Sequence, residues 1–313
     1  RFVAVGQASD PVPTNAASGV ALSTSLGWTA GSNAIVHAVY FGASSNAVAL
    51  ATPASPEFRG LMTNAAFHPP GLAGNATYYW RVDEIAGANT NTGVVWSFTT
   101  APAPRLVHRY SFNETGGTVV ADSAGGPGWN GTLPNGGVFS AGQLTLASVS
   151  QRYVALPAGI VSGLTDFTIE TWVRLSSTAD WTRIFDFGSG TTVNMFLTPQ
   201  NGVTDRVRFA ITTGGAGGEQ QINCNSVMSV GVWYHVAVTL SGSRGVLYLN
   251  GVPVGTNNAI TLRPSNLGVT MNNYLGRSQY GADPYLNATF DEFRIYSVAL
   301  SAAEIAATYA LGP

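Results

Sequence analysis

The chain contains no lysine: its 14 basic residues are all arginines, set against 16 acidic ones. Charged residues fill only 10% of the 313 positions, well below the roughly 25% of ordinary globular domains. Net charge is −2 and no block of like charges occurs. The clustered cations that neutralise phosphates are missing, so no nucleic-acid partner is expected. The single cysteine, Cys224, forbids an intrachain disulfide and a cysteine-built zinc cluster. No run approaches the ~18 to 20 apolar residues of a membrane-crossing helix, so no membrane span is expected. Arg1 opens no signal peptide, which fits a start after a cleavage point or inside a longer protein. Low charge, absent lysine and abundant Gly, Thr, Asn and Ser together point to an exported bacterial protein, secreted or on the cell surface.

What is present is turn chemistry and alternation. There are 37 Gly and 16 Pro, with 45% hydrophobic and 11% aromatic residues, which suits many short strands. The expected fold class is all-β. Thr99-Thr100-Ala101-Pro102-Ala103-Pro104 reads as a linker, since alternate prolines block ladder pairing. It predicts two domains, residues 1–103 and 104–313. In the first, Leu26 and Trp28 share one strand face, as do Val39 and Phe41. Leu72 stands six residues before Tyr78, which leads through Tyr79 and Trp80 into Arg81-Val82. This spacing resembles the tyrosine corner of fibronectin type III domains, members of the immunoglobulin-like sandwiches. The resemblance covers about residues 10 to 100, with Val95 to Thr100 as closing strand, and implies a spacer.

The second segment carries a longer series of motifs. Arg109-Tyr110-Ser111-Phe112-Asn113-Glu114 and Ala121-Asp122-Ser123-Ala124-Gly125 come first, then Asp166 to Val173 and Arg183 to Gly188. Trp233 to Thr239, Leu247 to Gly251, Leu275 to Ser278, Phe290 to Tyr296 and Leu300 to Ile305 follow. The order and spacing resemble the laminin-G-like, concanavalin A-like jelly roll of bacterial secreted proteins. The residues support this independently. Phe167, Ile169, Thr171 and Val173 alternate with Thr168, Glu170, Trp172 and Arg174, as on a strand with two unlike faces. Asn250-Gly251 is a hairpin pair tolerant of positive φ. Ser301 with Glu304 forms a capping box, predicting one short terminal helix over a sheet edge or the sandwich end.

The jelly roll also supports glycanases and lyases, so catalytic patterns matter. No Glu-x-Asp-x-Glu alternation is present. The adjacent acidic pairs, Asp83-Glu84 and Asp291-Glu292, point to opposite faces of a strand. Gln220-Gln221-Ile222-Asn223 lacks the histidine of lyase strands. His37, His68, His108 and His235 fall in separate contexts, and Cys224 has no basic activator nearby. Catalysis by this chain is therefore not expected. The resemblance implies a structural Ca²⁺ bound by positions matching Asn113, Asp122 and Asp291; the competing reading makes Asp122 the cap of its own turn.

Two stretches combine aromatic and polar groups suited to sugars: Asp180 to Asp186, and Gly276 to Tyr285. The candidate ligand residues are Trp181, Arg183, Asp186, Asn194, Arg208, Arg277, Gln279, Tyr280 and Asp283. Arg183 and Asp186 differ in strand parity, so sharing a face requires a bulge or turn. Trp172 and Trp233 are read as core, Trp181 and Tyr280 as exposed, and Trp129 as a third exposed candidate. The implied function is a carbohydrate-binding accessory region with a polysaccharide or oligosaccharide partner, accompanied by a catalytic domain in the same polypeptide. An adhesion or protein-interaction module is the alternative, and a jelly-roll glycanase or lyase a third.

Overall fold

Apolar–polar alternation becomes strands whose two faces meet different surroundings. The structure, a computed structural model, describes residues 4–102, 106–204 and 206–313. The chain divides into two compact units, residues 1–103 and 104–313. Of the linker, Ala103 and Pro104 lie outside the described residues.

In the first unit, β1 (Ser9–Val12), β3 (Leu26–Thr29) and β6 (Ala66–Phe67) form a three-stranded sheet. A second sheet runs β2 (Ala17–Val20), β9 (Trp96–Thr100), β7 (Thr77–Ala86), β4 (Val36–Gly42) and β5 (Phe58–Met62), with β8 (Asn89–Asn91) on β7. Leu26, Trp28, Val39 and Phe41 turn into one core, where Trp80 lies 6.1 Å from Trp28 and 4.7 Å from Trp96. The Tyr78 hydroxyl accepts the Ala73 N–H at 2.9 Å, beside buried Leu72. A short helix, α1 (Ser45–Leu50), is capped by Ser44. Arg81 donates to its terminal carbonyls at Val48, Ala49 and Ala51 and pairs with Asp83 at 2.9 Å.

The second unit is a two-sheet sandwich. One sheet runs β13 (Val138–Ser140), β14 (Gln143–Leu146), β25 (Ala288–Tyr296), β16 (Phe167–Leu175), β21 (Trp233–Ser241), β22 (Arg244–Leu249) and β23 (Val252–Asn257), with β10 (Leu106–Tyr110) on β25. The other runs β11 (Val119–Val120), β12 (Gly131–Thr132), β15 (Val154–Leu156), β24 (Asn272–Leu275), β17 (Phe185–Gly188), β18 (Asn194–Thr198), β19 (Arg208–Thr212) and β20 (Gln220–Asn223). Phenylalanines from both inner faces interlock: Phe185 meets Phe293 edge-on at 6.2 Å, and Phe167 lies 6.1 Å from Phe209. Truncating any of these buried rings to alanine costs about 3–5 kcal/mol. Asn250 and Gly251 take φ of 51° and 77°, closing the β22–β23 hairpin as their types allow.

The terminal helix α2 (Ala302–Ala310) starts at the Ser301–Glu304 capping box. It lies on the outer face of the first sheet and reaches the edge strand β23 and the Gly251 turn beside it. Ile305 packs with Ala237, Val246, Tyr248 and Tyr296, and Tyr309 stacks on Trp172 at 5.5 Å. The physical reason is that this face carries an apolar patch, Ala237, Val246, Tyr248 and Tyr296, that needs a cover. Trp172 is thus buried, whereas Trp233 is half-buried under the Arg174 guanidinium. Beneath α2, Glu170 accepts from Thr308 at 2.8 Å, Arg294 at 3.1 Å and Tyr296 at 3.2 Å, with His235 at 3.3 Å. Burial pushes this carboxyl up, but His235, Thr308 and Arg294 outweigh it and hold it below the usual range. Among the described residues, no helix is long and apolar enough to cross a membrane.

Removing the hydroxyl in Tyr78→Phe leaves the Ala73 N–H without its partner. The unfolding transition of the first unit is expected to lose about 1 kcal/mol, with that of the second unmoved. Urea denaturation followed by tryptophan fluorescence and by backbone circular dichroism measures both.

Candidate functional site

The second sheet carries its polar and aromatic residues on the outer face, where loops cover Asp186, Phe196 and Ala210 and leave Tyr274 and Gln221 half-buried. Register aligns Tyr274, Asp186, Phe196, Ala210 and Gln221 across β24, β17, β18, β19 and β20. Their neighbours Leu275, Phe185, Leu197, Phe209 and Ile222 point into the core. At the start of β17 the alternation breaks. Ile184 donates its N–H to the Leu197 carbonyl at 2.8 Å, while Phe185 is the register partner of the same Leu197. Two residues therefore oppose one, and both side chains enter the core. This bulge brings Arg183 and Asp186 to the same side.

Arg183 is almost fully buried. Its Nε lies 3.3 Å from Asp186 Oδ2 and its Nη2 lies 3.0 Å from Asp283 Oδ2. Nη1 donates to the Trp181 carbonyl, and the guanidinium plane covers Phe196 at 4.1 Å. Asp186 Oδ2 also accepts the Gln279 N–H at 3.0 Å, whereas Oδ1 has no hydrogen-bond partner among the described residues. Burial pushes the Asp186 carboxyl up to about 7, with Arg183 and Gln279 pulling the other way. Ser278 donates to Asp283 at 2.8 Å, fixing the second carboxylate.

Above this pair lies a pocket of about 180 Å³ lined by Trp181, Arg183, Phe196, Ala216, Glu219, Tyr280 and Asp283. Trp181 is half-buried with φ 62°, a left-handed conformation that costs a bulky residue about 1–2 kcal/mol. A Cβ on Gly202 would come within 2.5 Å of the Trp181 Nε1, so glycine there lets the indole lie flat. Arg208 stacks on the indole at 5.6 Å and donates to Asn223 at 2.8 Å; burial lowers its pKa. The Tyr280 hydroxyl donates to the Thr191 carbonyl at 3.2 Å.

Four of the nine sugar candidates thus converge in one pocket: Trp181, Arg183, Tyr280 and Asp283. Asp186 lies beneath them, and Arg208 braces Trp181. Asn194 and Gln279 support the 190–191 turn, Asn194 donating to the carbonyls of Gly190 and Thr191 and Gln279 accepting the Gly190 N–H. Arg277 stands apart, against Tyr153, Tyr274 and Tyr285. Phe196 and Glu219 were not foreseen. Phe196 shares strand parity with Asn194, and that signal could have found it. Trp129 is half-buried, packed against the core and 4.9 Å from His108, and lines no part of this pocket.

Of the calcium candidates, Asp122 is engaged within its own loop. Asp122 Oδ1 accepts the N–H groups of Arg109, Ala124 and Gly125, and Oδ2 binds His108 at 2.6 Å. It caps its own turn. Asn113 and Asp291 do line one cavity of about 340 Å³, but the Arg294 cation lines it too. Burial and Glu292 raise Asp291 to about 6. Among the described residues no cluster of three or more His, Cys, Asp or Glu fits a metal.

Because the folded Asp186 carboxyl ionises near 7 rather than near 4, the folded chain keeps a proton that the unfolded chain releases. Its contribution to stability therefore falls as pH rises through that window and levels off above it. Asp186→Asn cannot titrate. The unfolding free energy of the variant minus that of the parent should rise between those pH values in urea titrations; a flat difference would refute the assignment.

No curated protein matches the chain. Domain 4 of AbnA, a GH43 extracellular arabinanase from Geobacillus stearothermophilus solved in complex with arabinotriose, superposes with a TM-score of 0.54 at 22% identity. The match covers 65% of this chain and 98% of that one. Trypanosoma rangeli sialidase in complex with 2,3-difluorosialic acid gives 0.51 at 15% identity, covering 80% of this chain and 47% of the sialidase. The chain thus spans about half the length of that enzyme. These likenesses show a shared fold. The family model described as the concanavalin A-like lectin/glucanases superfamily matches residues 148–306, and the chain belongs to that superfamily.

Proposed function

We propose that this chain is a non-catalytic carbohydrate-binding region of an exported protein, with the sugar held at the Trp181 pocket. The observation that carries the reading is the convergence of Trp181, Tyr280, Arg183 and Asp283 around one small cavity. Aromatic faces suit the apolar faces of sugar rings, and fixed polar groups suit their hydroxyls. The arabinanase domain of the same fold was solved with arabinotriose, which makes arabinan the first glycan to try.

Several features favour binding over hydrolysis. Glycosidases need two working carboxyl groups on either side of the scissile bond. Here Asp283 is fastened to Arg183 and Ser278, and Asp186 is sealed beneath the guanidinium. Glu219, the remaining acid of the pocket, accepts from Gln221 at 2.8 Å. A partner catalytic domain elsewhere in the polypeptide would supply the chemistry. The first unit, with two sheets and a Tyr78 hydroxyl bonded back to Ala73, suits a fibronectin type III-like spacer. The lysine-free, charge-poor composition suits export.

Affinity electrophoresis through gels containing arabinan, xylan, galactan or β-glucan tests the reading. One polysaccharide should retard the protein, and Trp181→Ala or Tyr280→Ala should weaken that retardation about tenfold, the equivalent of 1.4 kcal/mol, with circular dichroism unchanged. Absence of retardation in every gel would shift the function to protein adhesion.

A further inference from the structure

Beside the pocket, the same loop builds a second feature. The Arg277 guanidinium lies 4.8 Å from the ring centre of Tyr153, 4.7 Å from Tyr274 and 6.0 Å from Tyr285. Tyr153 and Tyr274 meet edge-to-face at 5.3 Å, and Tyr285 closes the third side at 6.0 Å from Tyr153. All four residues are half-buried. Among the described residues, Arg277 makes no hydrogen bond and has no acidic partner.

That differs from the way this chain treats its other well-held arginines. Arg183 is spent on Asp186, Asp283 and the Trp181 carbonyl, Arg81 on Asp83 and α1, and Arg109 and Arg294 on Glu292. Arg174 also lacks an acid among the described residues, but it rests on the single ring of Trp233, on the other sheet. A guanidinium held by ring faces is positioned without using its five N–H donors, which lie in its plane. The cage therefore orients a cation and leaves its hydrogen-bonding edge free.

Its position ties it to the pocket. Tyr274 is the register partner of Asp186, which is the partner of Phe196 in the pocket wall. Two strand spacings, about 10 Å, separate Tyr274 from Phe196. One loop supplies Tyr280 and Asp283 to the pocket and Arg277 and Tyr285 to the cage.

We infer that Arg277 and its three tyrosines form an anion subsite, and that the glycan bound at the Trp181 pocket is acidic, carrying a carboxylate or sulfate at a neighbouring residue. This rests on the carbohydrate-binding reading above. The planar fork suits a carboxylate in bidentate geometry, and a sulfate offers the same oxygens. With a net charge of −2, the chain as a whole offers no general attraction for polyanions. Binding to them must therefore come from a local site.

The test is affinity electrophoresis of the full chain against polygalacturonate, alginate and carrageenan, each beside its carboxyl-reduced or desulfated counterpart. An acidic polymer should retard the protein about tenfold more strongly than its neutral counterpart, and added salt should erode the excess. Arg277→Gln should abolish the excess while leaving retardation by the neutral counterpart intact, and Arg277→Lys should restore part of it. Uronate and sulfate gels separate the two anions. Equal retardation by charged and neutral forms, or an excess that survives Arg277→Gln, overturns the subsite and leaves the pocket standing. Failure of every gel overturns the binding function itself, and the subsite with it.

Discussion

The second unit turns on a buried ion pair at the mouth of β17. Arg183 is held between Asp186 below and Asp283 above, with the ring of Phe196 under its plane. Such a cluster adds little net stability, because desolvating three charges consumes most of what their attraction returns. What it fixes is geometry. Removing one partner would leave a charge stranded in a dry site, so the three side chains hold their places together. The pocket floor is therefore rigid where most loop-built sites are soft. Trp181 inherits that rigidity through its carbonyl and Tyr280 through the Asp283 loop.

The two sheets divide the labour. The first has apolar residues on both faces: one meets the shared core and the other is sealed by α2. The second carries a polar and aromatic outer row, its middle covered by loops and the Arg183 guanidinium. Tyr274, Asp186 and Phe196 form a continuous band across three strands, flanked by the tyrosine cage on one side and the Trp181 pocket on the other. A linear polymer lying across the strands would meet both in turn.

Much of this was legible in the residues. Strand alternation, the Asn250-Gly251 hairpin and the Ser301–Glu304 cap are local devices, and local devices read directly from sequence. The all-β class and the jelly roll followed from their order. Trp181 and Tyr280 could be selected because they sit in polar loops. The docking of α2 could not be read, because its target is a sheet face assembled from β16, β21, β22 and β25, residues far apart in the chain. The partners of Asp122 were illegible for a related reason. Sequence shows that a carboxylate is present, but not that three nearby N–H groups and His108 already occupy it. Arg277 was legible beside Tyr285 in one loop, whereas the Tyr153 ring comes from a segment far away in the chain, just before β15.

The bulge at Ile184 and Phe185 has a further consequence. Pairing resumes at Phe185 with both neighbours, Leu197 on one side and Leu275 on the other. The extra residue is absorbed at one point, and nothing downstream shifts. Chain length before Phe185 is therefore uncoupled from the sheet. Insertions or deletions between the end of β16 and Ile184 would reshape the wall that carries Trp181 while leaving every strand register intact. In descendants of this chain, changes in recognition can then be written as changes in loop length, a mutational route that bypasses the sandwich and its buried phenylalanines.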